Sequence, residues 1–491
     1  MFQRMLFHLA CTLALAWPAF VNGQPFYFPD STAYVRAADS AAFIFSGHRI
    51  RTEWTAHYAG SLRPGARPRD PDRHVSAHGN DLATESVMSG RSPYFGALLW
   101  LSYVFGRFWL FVLAQAAIAY ALIRISLRLF GLLRPAIVAG TVAALAALSS
   151  LPFFTTLLMP DLLAGYAILA FLLLAIDRGR LRPRERYGLV ALMLLSAVAH
   201  LTHIMIIGGM ALALTTWAMV ARWPRERFVP LACAGGLVML AGLLSVTATS
   251  LVVEHVFGRK PLLAPFLTAR FLADGPGLDY LREHCPQSGF AVCAWRGRDH
   301  VESLAFLWSN DPANGGYMLS DTATRRALAA QDSAFALAVL AEYPVAQGGR
   351  IIGNALRQMA RFEVDLANTP CDPSQRCWAT LPPRERAVLI ASPAGRSLWP
   401  QAAMAALHRA VIGIALIGLL AWVAARRDAA GADIRVWLVL LTAAAAVNAL
   451  LCGGISEPLA RYQARIIWLL PLMAIIAGLL WRRDRKGTLD G

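Results

Sequence analysis

Apolar residues run in long blocks separated by short arginine-rich gaps, and the alternation extends over most of the 491 residues. A membrane-spanning helix needs roughly 20 consecutive apolar residues. Blocks near that length predict spans over about 5–21, a helix from Ser92 ending near Arg128, then 135–154, 162–176, 187–201, 204–221, 229–253, 403–425, 436–452 and 463–481. The expected fold class is an all-α polytopic membrane protein of about ten transmembrane helices. A mainly helical extracytoplasmic domain lies between helices seven and eight.

Three regions follow: an N-terminal transmembrane part (1–253) that includes a long first outer loop (23–92), an extracytoplasmic domain (254–400), and a C-terminal transmembrane part (401–491). The first segment reads as a signal anchor or as a signal peptide cut near Gly23; the anchor is favoured, because Trp17-Pro18 makes a poor small-residue cleavage site. In the first loop, Tyr34, Ala38, Ala41 and Phe45 fall on one helical face and Arg36, Asp39 and Ser40 on another, an interfacial amphipathic pattern. The middle of that loop, RPGARPRDPDRHVSAHGND, is expected to be irregular. Ser92-Pro93 reads as N-cap and N1 of the next helix. In the large domain, helices are expected around 322–342 and 349–365.

A hydrophobic fraction of 57% excludes an ordinary soluble protein, and the net charge of +16 does not point to a nucleic-acid partner. The basic residues cluster in gaps between apolar blocks (Arg124/Arg128/Arg134, Arg178–Arg186, Arg222–Arg227, Arg426–Arg435, Arg482–Lys486). That is the positive-inside signature of cytoplasmic loops. It places both termini in the cytoplasm and the large domain outside; the expected location is a bacterial inner membrane with that domain in the periplasm. The cysteines agree with it. Cys285/Cys293 and Cys371/Cys377 are close pairs in the outer domain and read as disulfides there, with zinc the rival reading.

The outer face then holds the residues that carry chemistry. Asp30 (FPDSTAY) and Asp161 (LLMPDLLAGY) each read equally as helix caps and as functional acids. Two acids from different elements at one membrane face allow general-base chemistry or a bridged divalent metal ion. His200 and His203, three apart, are either satisfied interfacial histidines or a metal-ligand or acid/base pair. Arg461 and Arg465 break the charge rule at a costly depth. At i, i+4 they repel unless an anion lies between them, and a phosphate matches the guanidinium fork. The rival is a bridge from Glu457 to Arg461. Arg91 is a further candidate for the same anion site.

With Asp30 after the first span, a long first outer loop bearing surface helices, Asp161 in the next outer turn and a late Arg461-Tyr462…Pro471 element, the chain resembles the GT-C superfamily of membrane glycosyltransferases. That group includes protein O-mannosyltransferases and lipid A aminoarabinose transferases. The inserted, cysteine-paired domain departs from the family pattern. The resemblance implies transfer of a sugar from a polyprenyl-phosphate donor to a glycan, lipid or protein acceptor on the outer face, with membrane lipids as the surroundings. Asp30 and Asp161 would be catalytic, and Arg461, Arg465 and Arg91 would bind the donor phosphate. Two other classes stay open. A polysaccharide or O-antigen polymerase or ligase would move the chemistry into 254–400, and a transporter or assembly protein would have none. Nearly apolar span centres, with Gln115 and Asn448 as exceptions, weigh against transport.

Overall fold

The computed structural model describes residues 2–58, 87–309, 311–369, 378 and 380–487. Among these the protein is all-helical, with two isolated β-bridges in place of strands. In chain order the helices are α1 (Phe2–Ala14), α2 (Trp17–Asn22), α3 (Pro29–Phe45), α4 (Glu53–Tyr58), α5 (Pro93–Gly106), α6 (Trp109–Leu129), α7 (Pro135–Leu148), α8 (Leu151–Thr155), α9 (Asp161–Ala175), α10 (Pro183–Ala199), α11 (Leu201–Val220) and α12 (Arg225–Phe257). The large domain adds α13 (Phe266–Asp274), α14 (Pro276–His284), α15 (Ser303–Trp308), α16 (Thr322–Glu342), α17 (Pro344–Ala360) and α18 (Pro383–Ala391). The chain closes with α19 (Gln401–Ala425), α20 (Ala429–Ala449, continued by a π turn over Leu450–Gly454), α21 (Ala460–Ile467) and α22 (Leu469–Gly487).

Six of these helices are long and apolar enough to cross a membrane: α6, α11, α12, α19, α20 with its π turn, and α21–α22 taken together. Other expected spans are shorter or broken. The first is split around Leu15–Ala16, where Pro18 opens α2. The helix expected to run unbroken from Ser92 to Arg128 divides at Arg107 and Phe108, both left-handed (φ 45° and 73°). The break turns the Arg107 guanidinium onto Glu385 (2.6 Å), and Tyr27 donates to the same carboxylate (3.0 Å). Helix α7 stops at Ser149, and Pro152 starts α8.

A helix that is apolar on all sides belongs at the centre of a bundle. Helix α9, DLLAGYAILAFLLLA, is buried at every position but Leu174. Helices α6, α10, α11, α20 and α21 surround it. Trp437 on α20 donates to the Leu172 carbonyl (2.8 Å), and Tyr166 donates to Gln115 O (2.5 Å). One end of the bundle gathers the basic gaps: Glu185 receives Arg128 (2.5 Å), Asp433 receives Arg178 (2.7 Å) and Asp484 receives Arg426 (2.7 Å).

The large domain has an apolar core of its own, centred on Phe271, Leu281, Phe306, Tyr317, Phe335 and Val339. Cys285 and Cys293 form a disulfide at its edge. Cys371, Cys377 and the Pro-rich part of the first loop lie outside the described residues. Helix α3 inverts the expected interfacial arrangement. Its polar residues Arg36 and Asp39 are buried, while Phe45 is 69% exposed. Asp39 accepts from Thr52 (2.7 Å), Thr55 (2.5 Å) and Trp100 (2.8 Å), so the partners of the charge turn that face inward. Tyr34 stays buried against Phe95.

Candidate active site

Four elements converge at the end of the bundle opposite the basic clusters. The first is the segment entering α3. Phe26 bridges to Leu157, accepting from Leu158 N and donating to Thr156 O (both 2.9 Å), which sets the start of α3 beside the turn leading into α9. Asp30 therefore emerges in the first turn of α3, and Asp161 in the first turn of α9. The other two elements are the α10–α11 turn, with His200 and His203, and α21, with Arg461 and Arg465.

Asp161 is 3% exposed and makes no capping hydrogen bond. Its carboxylate faces Arg465 Nη1 at 3.5 Å and Arg461 Nη1 at 3.8 Å. Arg465, 1% exposed, also donates to Asn448 Oδ1 (2.7 Å) and Thr202 Oγ1 (3.3 Å). Asn448 is held in turn by its donations to Gln463 Oε1 and Tyr462 O (both 2.7 Å). Arg461 lies over the Phe28 ring, 3.9 Å from its centroid, and donates to Tyr462 Oη (3.2 Å). Four buried guanidinium nitrogens of the site have no hydrogen-bond acceptor: Arg461 Nε and Nη1, Arg465 Nε and Arg91 Nε. Close backbone approach makes this geometry possible, since a Cβ on Gly165 of α9 would fall 2.7 Å from Arg465 O.

Glu457 does not neutralise Arg461. It accepts from Arg270 (2.7 Å) and Ser303 (2.5 Å) of the large domain instead. The same domain grips the residues just before α21. Gln358 donates to Leu459 O and accepts from Leu459 N (both 2.9 Å), and Arg361 donates to Pro458 O (2.8 Å).

Asp30 is partly exposed and bonded by Arg91 at 2.5 Å. Burial would raise its carboxyl, but Arg91 and Arg461 beside it hold it below the ordinary carboxylate value. Arg91 thus sits on Asp30, within electrostatic reach of Arg461. His200 Nδ1 accepts from Thr202 N (3.3 Å) and lies 2.9 Å from Thr202 Oγ1, the hydroxyl that Arg465 also reaches. His203 is buried, with Nδ1 on Ser196 (3.1 Å) and Nε2 unpartnered. The two imidazoles lie 5.1 Å apart.

A cavity of about 710 Å³ opens beside these residues. Its walls are mainly apolar, from α3 (Ala41, Ile44) and α12 (Val252, Val256); Arg91 and His200 belong to its lining, while Asp30, Asp161, Arg461 and Arg465 do not. Around the site, Arg91, Arg461 and Arg465 face Asp30 and Asp161, with Asp365 within electrostatic reach of Arg461 and Asp161. Asp30 and Asp161 already meet guanidinium groups, so the residues present fit an added anion rather than a divalent cation. Elsewhere, Glu283, His284 and Glu342 bring ligand atoms within 4.8 Å of one another, but both acids are exposed and Glu283 already accepts from Tyr343 (2.7 Å).

Sequence reasoning passed over Thr202, Ser196 and Asp365, the last being within electrostatic reach of Arg461 and Asp161. Asn448 stood out only as a polar residue in an apolar span. That oddity was the available signal.

No family model and no curated protein matches this chain. Among solved structures, the chain is similar to a crystal structure of ArnT from Cupriavidus metallidurans bound to undecaprenyl phosphate. The match has 17% identity, covers 97% of this chain and 77% of that one, and has a TM-score of 0.33. At that score the likeness carries no argument about this chain, whose case rests on its own residues and their geometry.

Proposed function

We propose that this protein is an inverting GT-C-type glycosyltransferase of a bacterial cytoplasmic membrane. It moves a sugar from a polyprenyl-phosphate-linked donor to an acceptor hydroxyl at the outer face. The observation that carries the reading is the pair Arg461 and Arg465: buried, one helical turn apart, facing a single shared carboxylate, with guanidinium nitrogens left unsatisfied. Buried charges are kept where they are paired or where they bind something. An incoming phosphate supplies the missing acceptors bidentately.

The neighbouring apolar cavity suits a polyisoprenyl chain, with Arg91 and His200 at the end where the phosphate would lie. In the transfer, Asp30 takes the proton from the acceptor hydroxyl and the oxygen attacks the anomeric carbon. The carbon–oxygen bond to the phosphate breaks, and polyprenyl phosphate leaves with the electron pair. Arg461 and Arg465 stabilise the charge that develops on it. Asp161 holds the two guanidiniums in register.

Arg91 gives this scheme a sequence in time. While it pairs with Asp30 the carboxylate is a weak base, because effective general bases have pKa values near the working pH. A donor phosphate that draws Arg91 away raises Asp30 toward useful basicity. Asp30→Asn is therefore expected to abolish transfer from a polyprenyl-phosphate sugar while the purified protein keeps its fold. Near-normal turnover by that variant would rule out the assignment.

A further inference from the structure

Helix α17 is amphipathic in the reverse sense of a water-facing helix. Gln347, Asn354 and Gln358 point into the protein and are each 0% exposed. Gln347 and Asn354 donate to the buried Asp274 (both 2.9 Å), and Gln358 holds Leu459. The opposite face is apolar and open: Val345 is 86% exposed, Ile352 62%, Leu356 66% and Met359 37%. Positions 345, 352, 356 and 359 fall on one stripe of a 3.6-residue helix. Leu337, on the adjoining α16, is 67% exposed as well. In water such a stripe would be a contiguous hydrophobic patch of the kind that marks an interaction surface.

Two observations say what covers it. The first is position. Helix α17 packs directly on the π turn that ends the span α20. Gly453 and Gly454 permit the contact, since a Cβ on Gly453 would lie 2.3 Å from the Gln358 Cβ and one on Gly454 would lie 3.0 Å from Ile351 O. A helix resting on the end of a spanning helix lies where hydrocarbon gives way to headgroups. The second is charge. Helix α17 contains no acidic residue; Arg350 and Arg357 are exposed along its flank, Arg357 also donating to Asn354, and Arg361 just beyond it is exposed while it holds Pro458 O. An apolar stripe edged by arginines fits an interfacial helix against anionic lipid.

We infer that α17 is a membrane-surface helix, with Val345, Ile352 and Leu356 seated among acyl chains and the flanking arginines among anionic headgroups. This inference stands on the helix alone and does not depend on the transferase reading.

The test uses the full chain in nanodiscs of phosphatidylethanolamine and phosphatidylglycerol, with the exposed Cys233 replaced by alanine. Nitroxide labels go at Ile352→Cys and Leu356→Cys. The control label is at Ala323→Cys, exposed near the far end of α16 and about 30 Å along that helix from the junction with α17. The parent without an added cysteine sets the background. Collision with oxygen relative to a water-soluble nickel chelate is expected to be severalfold higher at 352 and 356 than at 323. Nickel accessibility equal to the control would place the stripe in water and overturn the inference. Shielding from both reagents would overturn it too, in favour of a protein cover such as a second copy of this chain.

Discussion

At the residue scale, the two acids that look alike in sequence sit in different surroundings. Asp161 is buried between two arginines, whereas Asp30 is about a quarter exposed and shares one. Removing one partner of a buried ion group leaves uncompensated charge and costs about 3–5 kcal/mol, while exposed pairs contribute about 0–1 kcal/mol. Asp161→Asn is accordingly expected to lower the thermal unfolding midpoint in detergent far more than Asp30→Asn does. Equal shifts would show that the Asp161 charge is not buried in the working protein. The Asp30 pair has a pH signature. Its folded carboxyl is held below the unfolded value of about 3.9, so its stabilisation is complete above that value. It is lost as pH falls through the lower folded value. The stability gap between the parent and Asp30→Asn should stay constant from neutrality to about pH 5 and close only in stronger acid.

At the element scale, amphipathic patterning reveals a face without revealing which way it turns. Helices α3 and α17 both bury polar side chains, α3 beside its buried Tyr34 and Val35 and α17 with its apolar face left open, because their polar residues meet partners (Thr52, Thr55 and Trp100; Asp274 and Leu459) that the sequence gives no means of placing. The grip of Gln358 on Leu459 fixes the entry to α21, and with it the reach of both arginines. Losing it leaves buried backbone groups unpaired at about 1–3 kcal/mol. Gln358→Ala is therefore expected to raise the donor KM roughly tenfold, at 1.4 kcal/mol per decade, with a smaller effect on kcat; an unchanged KM would disconnect the domain from the site. Gly165→Ala attacks the same contact from the other side. Its Cβ would meet Arg465 O and Trp468 Nε1 at 2.7 Å. Overpacking of this kind costs about 1–3 kcal/mol, to be seen as a lower thermal midpoint together with reduced transfer.

At the scale of the whole molecule, the site is assembled from residues 28–30, 91, 161, 200–203 and 448–465, brought together around α9. Its unpartnered guanidinium nitrogens, with Asp30 and Asp161 already paired to arginines, favour an anionic ligand. Transfer is thus expected to persist when divalent metals are stripped with EDTA and not restored. Loss of activity that returns only with added metal would reinstate a cation between Asp30 and Asp161. The large domain reaches the site through Glu457–Arg270 and Gln358–Leu459, so deletion of 254–400 should disable transfer even though Asp30, Asp161 and both arginines remain.

By itself the sequence determined the all-helical membrane class and the Cys285–Cys293 pair. It also picked out the charged residues that break the pattern. These are properties of local composition and spacing, set by what a bilayer tolerates along a single segment. Only the tertiary structure decided that Asp161 lies between Arg461 and Arg465, that Glu457 serves Arg270, and that Arg91 pairs with Asp30. It also decided where the Ser92–Arg128 helix breaks. Each of these is a choice of partner across scores of residues, made by which guanidinium fits which carboxylate once the helices have packed, and no local pattern encodes it.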